Sequence, residues 1–188
     1  MRLMLKLILV VLVFLYPFLI FFGIKLLSLK YLGLLIILIF SLRLIVLKNS
    51  IDKLWVGITM LGIVLVLLAV FINNITFMLL YPVFISSILF GAFTYSLFQE
   101  KSIITKIAIK MSKTELPDYA LTYTWYVTLA WCMFFVLNAS IALFTVVYGS
   151  INVWSIYNGF ISYILIGIFM ASEIVVRFLV RSYFEKLS

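Results

Sequence analysis

The chain has 188 residues, of which 67% are hydrophobic and 11% charged, with a mean hydropathy of +1.34. A soluble domain is about half apolar and about a quarter charged, so no soluble fold covers this much apolar surface and lipid must solvate it. The formal charge of +8 does not point to nucleic acid. The basic residues sit between apolar runs, as topology and headgroup signals do, and there is neither a basic domain nor an aromatic stacking platform. Cys132 is the one cysteine and there is no histidine. That excludes an intrachain disulfide, Ser-His and Cys-His nucleophiles and most transition-metal sites. No cofactor motif, P-loop or paired-carboxylate signature occurs.

The expected fold is all-α: a polytopic membrane helix bundle of about six transmembrane helices, forming a single domain over residues 1–188. Arg2 and Lys6 precede the first span, about 7–24. The run is too long for a secretory signal and lacks a cleavage site. Pro17 should kink it, freeing the carbonyl of Val13, which a neighbouring helix must then satisfy. The second span is about 31–46, with Arg43 near its end, placed to snorkel to the interface. The third is about 54–71, and Asn73-Asn74 makes a chargeless turn. The fourth is about 76–98, contains Pro82, and carries Ser87 and Gly91 as a small-residue strip for helix contact.

A polar segment follows. Residues 102–113 form a basic amphipathic pattern: Ile103, Ile104, Ile107, Ala108 and Met111 share one arc, and Lys106, Lys110 and Lys113 the other. That predicts a short helix lying on anionic lipid headgroups. Pro117 disfavours helix before it and Asp118 is placed to cap the fifth span, about 119–147. The turn Tyr148 to Val153 leads to the sixth, about 154–179.

Six spans put both termini on one side. Twelve of the 14 Lys and Arg then lie on that side, and only Lys25 and Lys30 lie opposite. Positive charge stays inside, so both termini are expected to be cytoplasmic and the protein to be a multi-pass protein of a bacterial inner membrane.

The last two spans carry the candidate site. Thr124, Thr128, Trp131 and Asn138 recur at helical spacing on one face of the fifth, and Asn158, Ser162, Glu173 and Arg177 on one face of the sixth. Counting back from the turn places Asn138 level with about Ser162 and Thr128 with about Glu173. Asn138 and Asn158 read as hydrogen-bonding links between helices, or as ligand contacts. Trp154, opening a helix, reads as an interfacial anchor; Trp131, well inside its span, reads as packing or ligand lining. Cys132 reads as a small apolar filler. Glu173 is the one acidic residue within an expected span, and such a group is costly there. It lies nineteen residues past Trp154, close to a full crossing of about 20 residues. It either pairs with Arg177 at i+4 or serves a headgroup, a proton or a ligand. No residue reads as catalytic, and none as a metal ligand.

The second half resembles a family of small bacterial inner-membrane proteins encoded with aryl-polyene or other fatty-acid-like biosynthesis genes. The likeness rests on Leu116-Pro117, Tyr123-Thr124, Val127-Thr128, the run Trp131-Cys132 through Phe134-Phe135 to Asn138, Gly149-Ser150, and Tyr157-Asn158-Gly159. It covers roughly the last third of the chain. The first four spans match only in hydropathy and length. A fainter likeness is to the intracellular septation protein A family. In the first family basic residues follow the Tyr-Thr pair, where this chain has Trp125 and Tyr126. Some members are labelled ketosynthases, a label that one apolar-embedded cysteine and no histidine do not support. The resemblance implies a non-enzymatic accessory protein for making or moving an acyl-chain or polyene lipid. The rival expectations are a scaffold of the cell envelope that binds other inner-membrane proteins, and a small transporter using Glu173.

Overall fold

A computed structural model describes residues 15–47, 53–112 and 116–185. Every secondary element among them is helical. The helices are α1 (Tyr16–Leu26), α2 (Leu29–Leu47), α3 (Lys53–Ile72), α4 (Thr76–Leu79), α5 (Tyr81–Leu97), α6 (Ile103–Ser112), α7 (Asp118–Val147), α8 (Ile151–Ile156) and α9 (Ser162–Glu185), with a π-helical turn, Tyr157–Ile161, between the last two. Four stretches among the described residues are long and apolar enough to cross a membrane: Leu54–Ile72, Thr76–Leu97, Asp118–Val147 and Ile151–Tyr183. They coincide with the third to sixth expected spans. The second expected span lies within α2. Residues 7–14 of the first, with Arg2, Lys6 and Val13, lie outside the described residues, as do Lys48 and Lys113.

The chain divides into two compact units: Met1–Ile85 with Ile141–Ser162, and Ser86–Ser140 with Tyr163–Ser188. In the first unit, α2 buries Leu32, Ile36 and Phe40 at i, i+4 steps, and α3 buries Ile58, Val66 and Ala69. This is one stripe per helix, as the 3.6-residue period requires. The helices approach closely at glycine: a Cβ on Gly33 would run into Val70, and one on Gly62 into Phe40. Small residues at such points let helices pack without a water-driven force. Gly91, expected to serve this way, has no described atom within 4 Å of where its Cβ would stand.

Pro17 and Pro82 play different parts. Pro17 sits in the first turn of α1, where a missing N–H costs nothing; the expected kink at Val13 lies outside the described residues. Pro82 makes the consequential break. Helix stops at Leu79 and resumes at Tyr81, because Pro82 cannot donate to the carbonyl of Met78. The Tyr16 hydroxyl donates to that oxygen instead, at 2.9 Å and buried. The neighbouring carbonyl of Leu79 accepts from the indole of Trp154 at 3.0 Å. Trp154 is therefore not an interfacial anchor: it is fully buried.

Asn73 ends α3 in the left-handed region, at φ 55°, a conformation asparagine tolerates better than most residues. The side chain of Asn74 then accepts from Thr76 N–H at 2.9 Å. The connection from α7 to α8 is tighter than the sequence implied. Only Tyr148, Gly149 and Ser150 lie between the helices, and the Ser150 hydroxyl accepts from Val153 N–H at 3.3 Å as an N-cap.

Candidate functional site

The second unit is built around α7. Its Thr124 and Thr128 are buried, and each hydroxyl donates back to its own helix: Thr124 to the carbonyl of Ala120 at 2.9 Å and Thr128 to that of Thr124 at 2.8 Å. Each also bonds outward. Thr128 shares its one proton between the Thr124 carbonyl and the Ser102 hydroxyl, 2.8 Å away, Ser102 and Thr105 share a bond of 2.8 Å, and Thr105 and Thr124 one of 2.7 Å. The result is a four-membered hydroxyl ladder. It docks the start of α6 onto α7 through polar groups. Ser102 also accepts from Thr105 N–H at 3.3 Å, and Ser96 from Ile103 N–H at 3.1 Å, satisfying donors at the start of α6.

This changes the reading of α6. The helix forms where the amphipathic pattern placed it, but its buried residue is Thr105. Ile107 and Met111, on the predicted apolar arc, are exposed beside Lys106 and Lys110. Lys106 donates to Gln99 at 2.6 Å. Ser102 and Thr105 were not singled out as site residues. The detectable signal was two hydroxyls three residues apart, at a helix start.

One turn further along α7, Trp131 enters an aromatic cluster. Its ring centroid lies 4.7 Å from Phe169 at 76°, and 5.4 Å from Phe135. Phe93 packs edge-on against Phe135 at 5.1 Å. Edge-to-face contacts of this kind fix ring orientation beyond simple burial. Cys132, buried, accepts from the Thr94 hydroxyl at 3.5 Å. Asn138 donates to the Ser86 hydroxyl at 2.9 Å. Trp125 donates to the carbonyl of Leu97 at 3.3 Å, at the end of α5.

Glu173 of α9 is met by Arg177 and Tyr123. Arg177 approaches Oε1 at 2.9 Å through Nε and at 2.6 Å through Nη2. The Tyr123 hydroxyl donates to the Glu173 carbonyl at 3.1 Å and lies 3.4 Å from Oε1. The Glu173 side chain is 14% exposed and that of Arg177 46%. Thr128, expected level with Glu173, directs its hydroxyl to Ser102 and to its own helix instead.

Tyr123 lines two adjoining hollows of this unit. One, of about 250 Å³, is a largely apolar groove walled by Val127, Ala130, Phe169 and Val176, with Ser172 and Glu173 also lining it. The other, of about 500 Å³, is walled by Met111, Leu116, Tyr119, Thr124, Arg177 and Arg181. Two hollows that share Tyr123, one largely apolar and one lined by arginine, suit the two ends of an amphiphile.

Asn158 and Ser162 belong to the first unit, so the face read as continuous along the last span is divided. Asn158 sits in the π-helical turn, where it donates to the Thr145 hydroxyl at 3.2 Å and to the carbonyl of Trp154 at 3.0 Å. Ser162 is buried at the end of that turn. Gly159 lets the turn lie against α1, its Cβ position being 3.1 Å from the Phe18 ring. No group of three or more metal-binding side chains occurs among the described residues. Comparison with protein-family models, with curated proteins and with solved structures returns no match.

Proposed function

We propose that this is a non-enzymatic accessory protein of a bacterial inner membrane that holds an acyl-chain or polyene lipid during its synthesis or movement. The observation that carries the reading is the groove beside Tyr123: apolar between Val127 and Phe169, and polar where Arg177 and Arg181 line the adjoining hollow. The resemblance of the second half to proteins encoded with aryl-polyene biosynthesis genes supports the same lipid class. In this reading the chain crosses the bilayer six times with both termini cytoplasmic, as the distribution of Lys and Arg favours. The exposed Ile107 and Met111 of α6 then rest on the inner leaflet, with Lys106 and Lys110 toward anionic headgroups. A transporter cycling through Glu173 is disfavoured, because Arg177 already holds that carboxylate.

The test is the lipid that co-purifies with the protein from producing cells, read by mass spectrometry. Ala130→Trp fills the groove. The expected outcome is an acyl-chain lipid retained by the parent chain and lost from Ala130→Trp at equal folded yield. Identical lipid profiles for the two would sink the reading. Absence of bound lipid together with retention of a partner membrane protein that Ala130→Trp releases would favour the scaffold instead.

A further inference from the structure

Arg43 does not snorkel. It is 92% buried, being 8% exposed, one turn beyond Phe40 on the inner face of α2. Its Nη1 has no hydrogen-bond partner, and neither has the hydroxyl of Tyr81, which is 1% exposed. Arg43 is the charged neighbour of the Tyr81 hydroxyl, close enough to act on it, although neither atom meets a partner at full hydrogen-bond geometry. Beside them, Phe40 and Tyr81 pack with ring centroids 5.3 Å apart, and Tyr16 lies 4.8 Å from Tyr81. The Trp55 ring lies over the guanidinium, 5.8 Å from Cζ to its centroid. A ring face offsets part of the cation's charge but accepts none of its directed N–H bonds.

The described residues of this unit include no Asp or Glu. A buried guanidinium nitrogen and a buried hydroxyl that no partner meets at hydrogen-bond geometry are both costly, and buried polar groups are otherwise almost always paired. A charged side chain at membrane depth marks a site unless it is paired. The missing group must accept from two donors and carry negative charge. A phosphate or carboxylate oxygen does both, and arginine binds such groups with charge-assisted bonds.

We infer that Arg43 and Tyr81 form a binding site for an oxyanion, the phosphate or carboxylate head of a lipid or a free anion of the same chemistry, walled by Phe40 and Trp55. The site is separate from the groove beside Tyr123 and stands or falls independently of it. Tyr81 is the sharper handle. Tyr81→Phe keeps the ring that packs on Phe40 and Tyr16 and removes only the unbonded hydroxyl.

The experiment measures thermal unfolding of the full chain, purified in a neutral maltoside detergent, titrated with dodecyl phosphate or with sodium phosphate against chloride at equal ionic strength. The expected result is saturable stabilisation by dodecyl phosphate, weakened about tenfold in Tyr81→Phe and abolished in Arg43→Gln. Stabilisation by dodecyl phosphate alone assigns a lipid headgroup; equal stabilisation by sodium phosphate assigns a free anion. Without ligand, Tyr81→Phe should unfold no earlier than the parent. Asp52, the one acidic residue in the first 85 positions, lies outside the described residues, and Asp52→Asn tests it as a rival partner. If neither phosphate stabilises the parent, or Tyr81→Phe responds like the parent, or Asp52→Asn destabilises the chain as strongly as Arg43→Gln, the site is overturned.

Discussion

The indole N–H of Trp154 donates to the carbonyl oxygen of Leu79 at 3.0 Å, 75 residues away in the chain and one residue from the carbonyl that Tyr16 holds. Two aromatic donors thus satisfy the two backbone oxygens at the helix break before Pro82. Inside a bilayer no water can do this. Trp154→Phe keeps most of the ring volume and removes the donor. It should lower the unfolding free energy by about 1–3 kcal/mol, measurable by denaturant titration in detergent; an unchanged midpoint would reject the role.

Tyr16 and Pro82 should be coupled. Pro82→Ala restores an N–H that can reach the Met78 carbonyl, so the Tyr16 hydroxyl becomes dispensable. Tyr16→Phe should cost about 1–3 kcal/mol alone and much less in the Pro82→Ala background. A double-mutant cycle reads the difference, and additive effects would show that Met78 does not depend on Tyr16.

The hydroxyl ladder predicts a similar non-additivity. Thr128→Val leaves Ser102 short of a donor and should destabilise by about 1 kcal/mol, with faster hydrogen exchange confined to α6. Ser102→Ala should cost less in that background than it does alone, since the Thr128–Ser102 bond is already gone while the bonds of Ser102 to Thr105 are lost in both. Uniform exchange along the whole chain would contradict docking of α6 through these groups.

At Glu173 the expected behaviour is that of a partly exposed ion pair. Arg177→Met should change stability by less than about 1 kcal/mol, because Tyr123 still donates to Glu173. Glu173→Gln should fold and complement the cellular function. A well-folded Glu173→Gln that fails to complement would make this carboxylate functional.

The topology proposal is tested by reporter fusions. Those after Ser50, Ser112 and Ser188 should report cytoplasm, and those after Asn74 and Asn152 the opposite side. A cytoplasmic signal at Asn152 is incompatible with six spans.

Helix positions were legible because lipid exposure writes long apolar runs, and Leu54–Ile72 and Asp118–Val147 follow them within a residue or so. The rule that a proline frees a carbonyl is legible in sequence; its effect at Pro17 falls on Val13, outside the described residues, while at Pro82 Tyr16 and Trp154 meet the carbonyls of the break. Nothing local to Trp154 announces that Leu79 is its acceptor. The face read along the sixth span assumed an unbroken 3.6-residue period. The π-helical turn at Tyr157–Ile161 changes that period, so Asn158 and Glu173 do not share one continuous stripe. Arg43 was misread for a related reason: snorkelling is the cheaper default, and only tertiary packing shows the head turned inward beside Tyr81.

The 30 residues of α7 span about 45 Å at about 1.5 Å per residue, against a hydrocarbon thickness of about 30 Å. The 20-residue α3 matches that thickness without adjustment. α7 must lean or extend beyond the hydrocarbon, at a cost that grows with each ångström of mismatch. A thinner bilayer therefore loads α7 well before it loads α3. A helix of that length suits a bilayer of about 40–45 Å counted with its headgroup layers, so α7 has room to adjust by tilt where α3 has none.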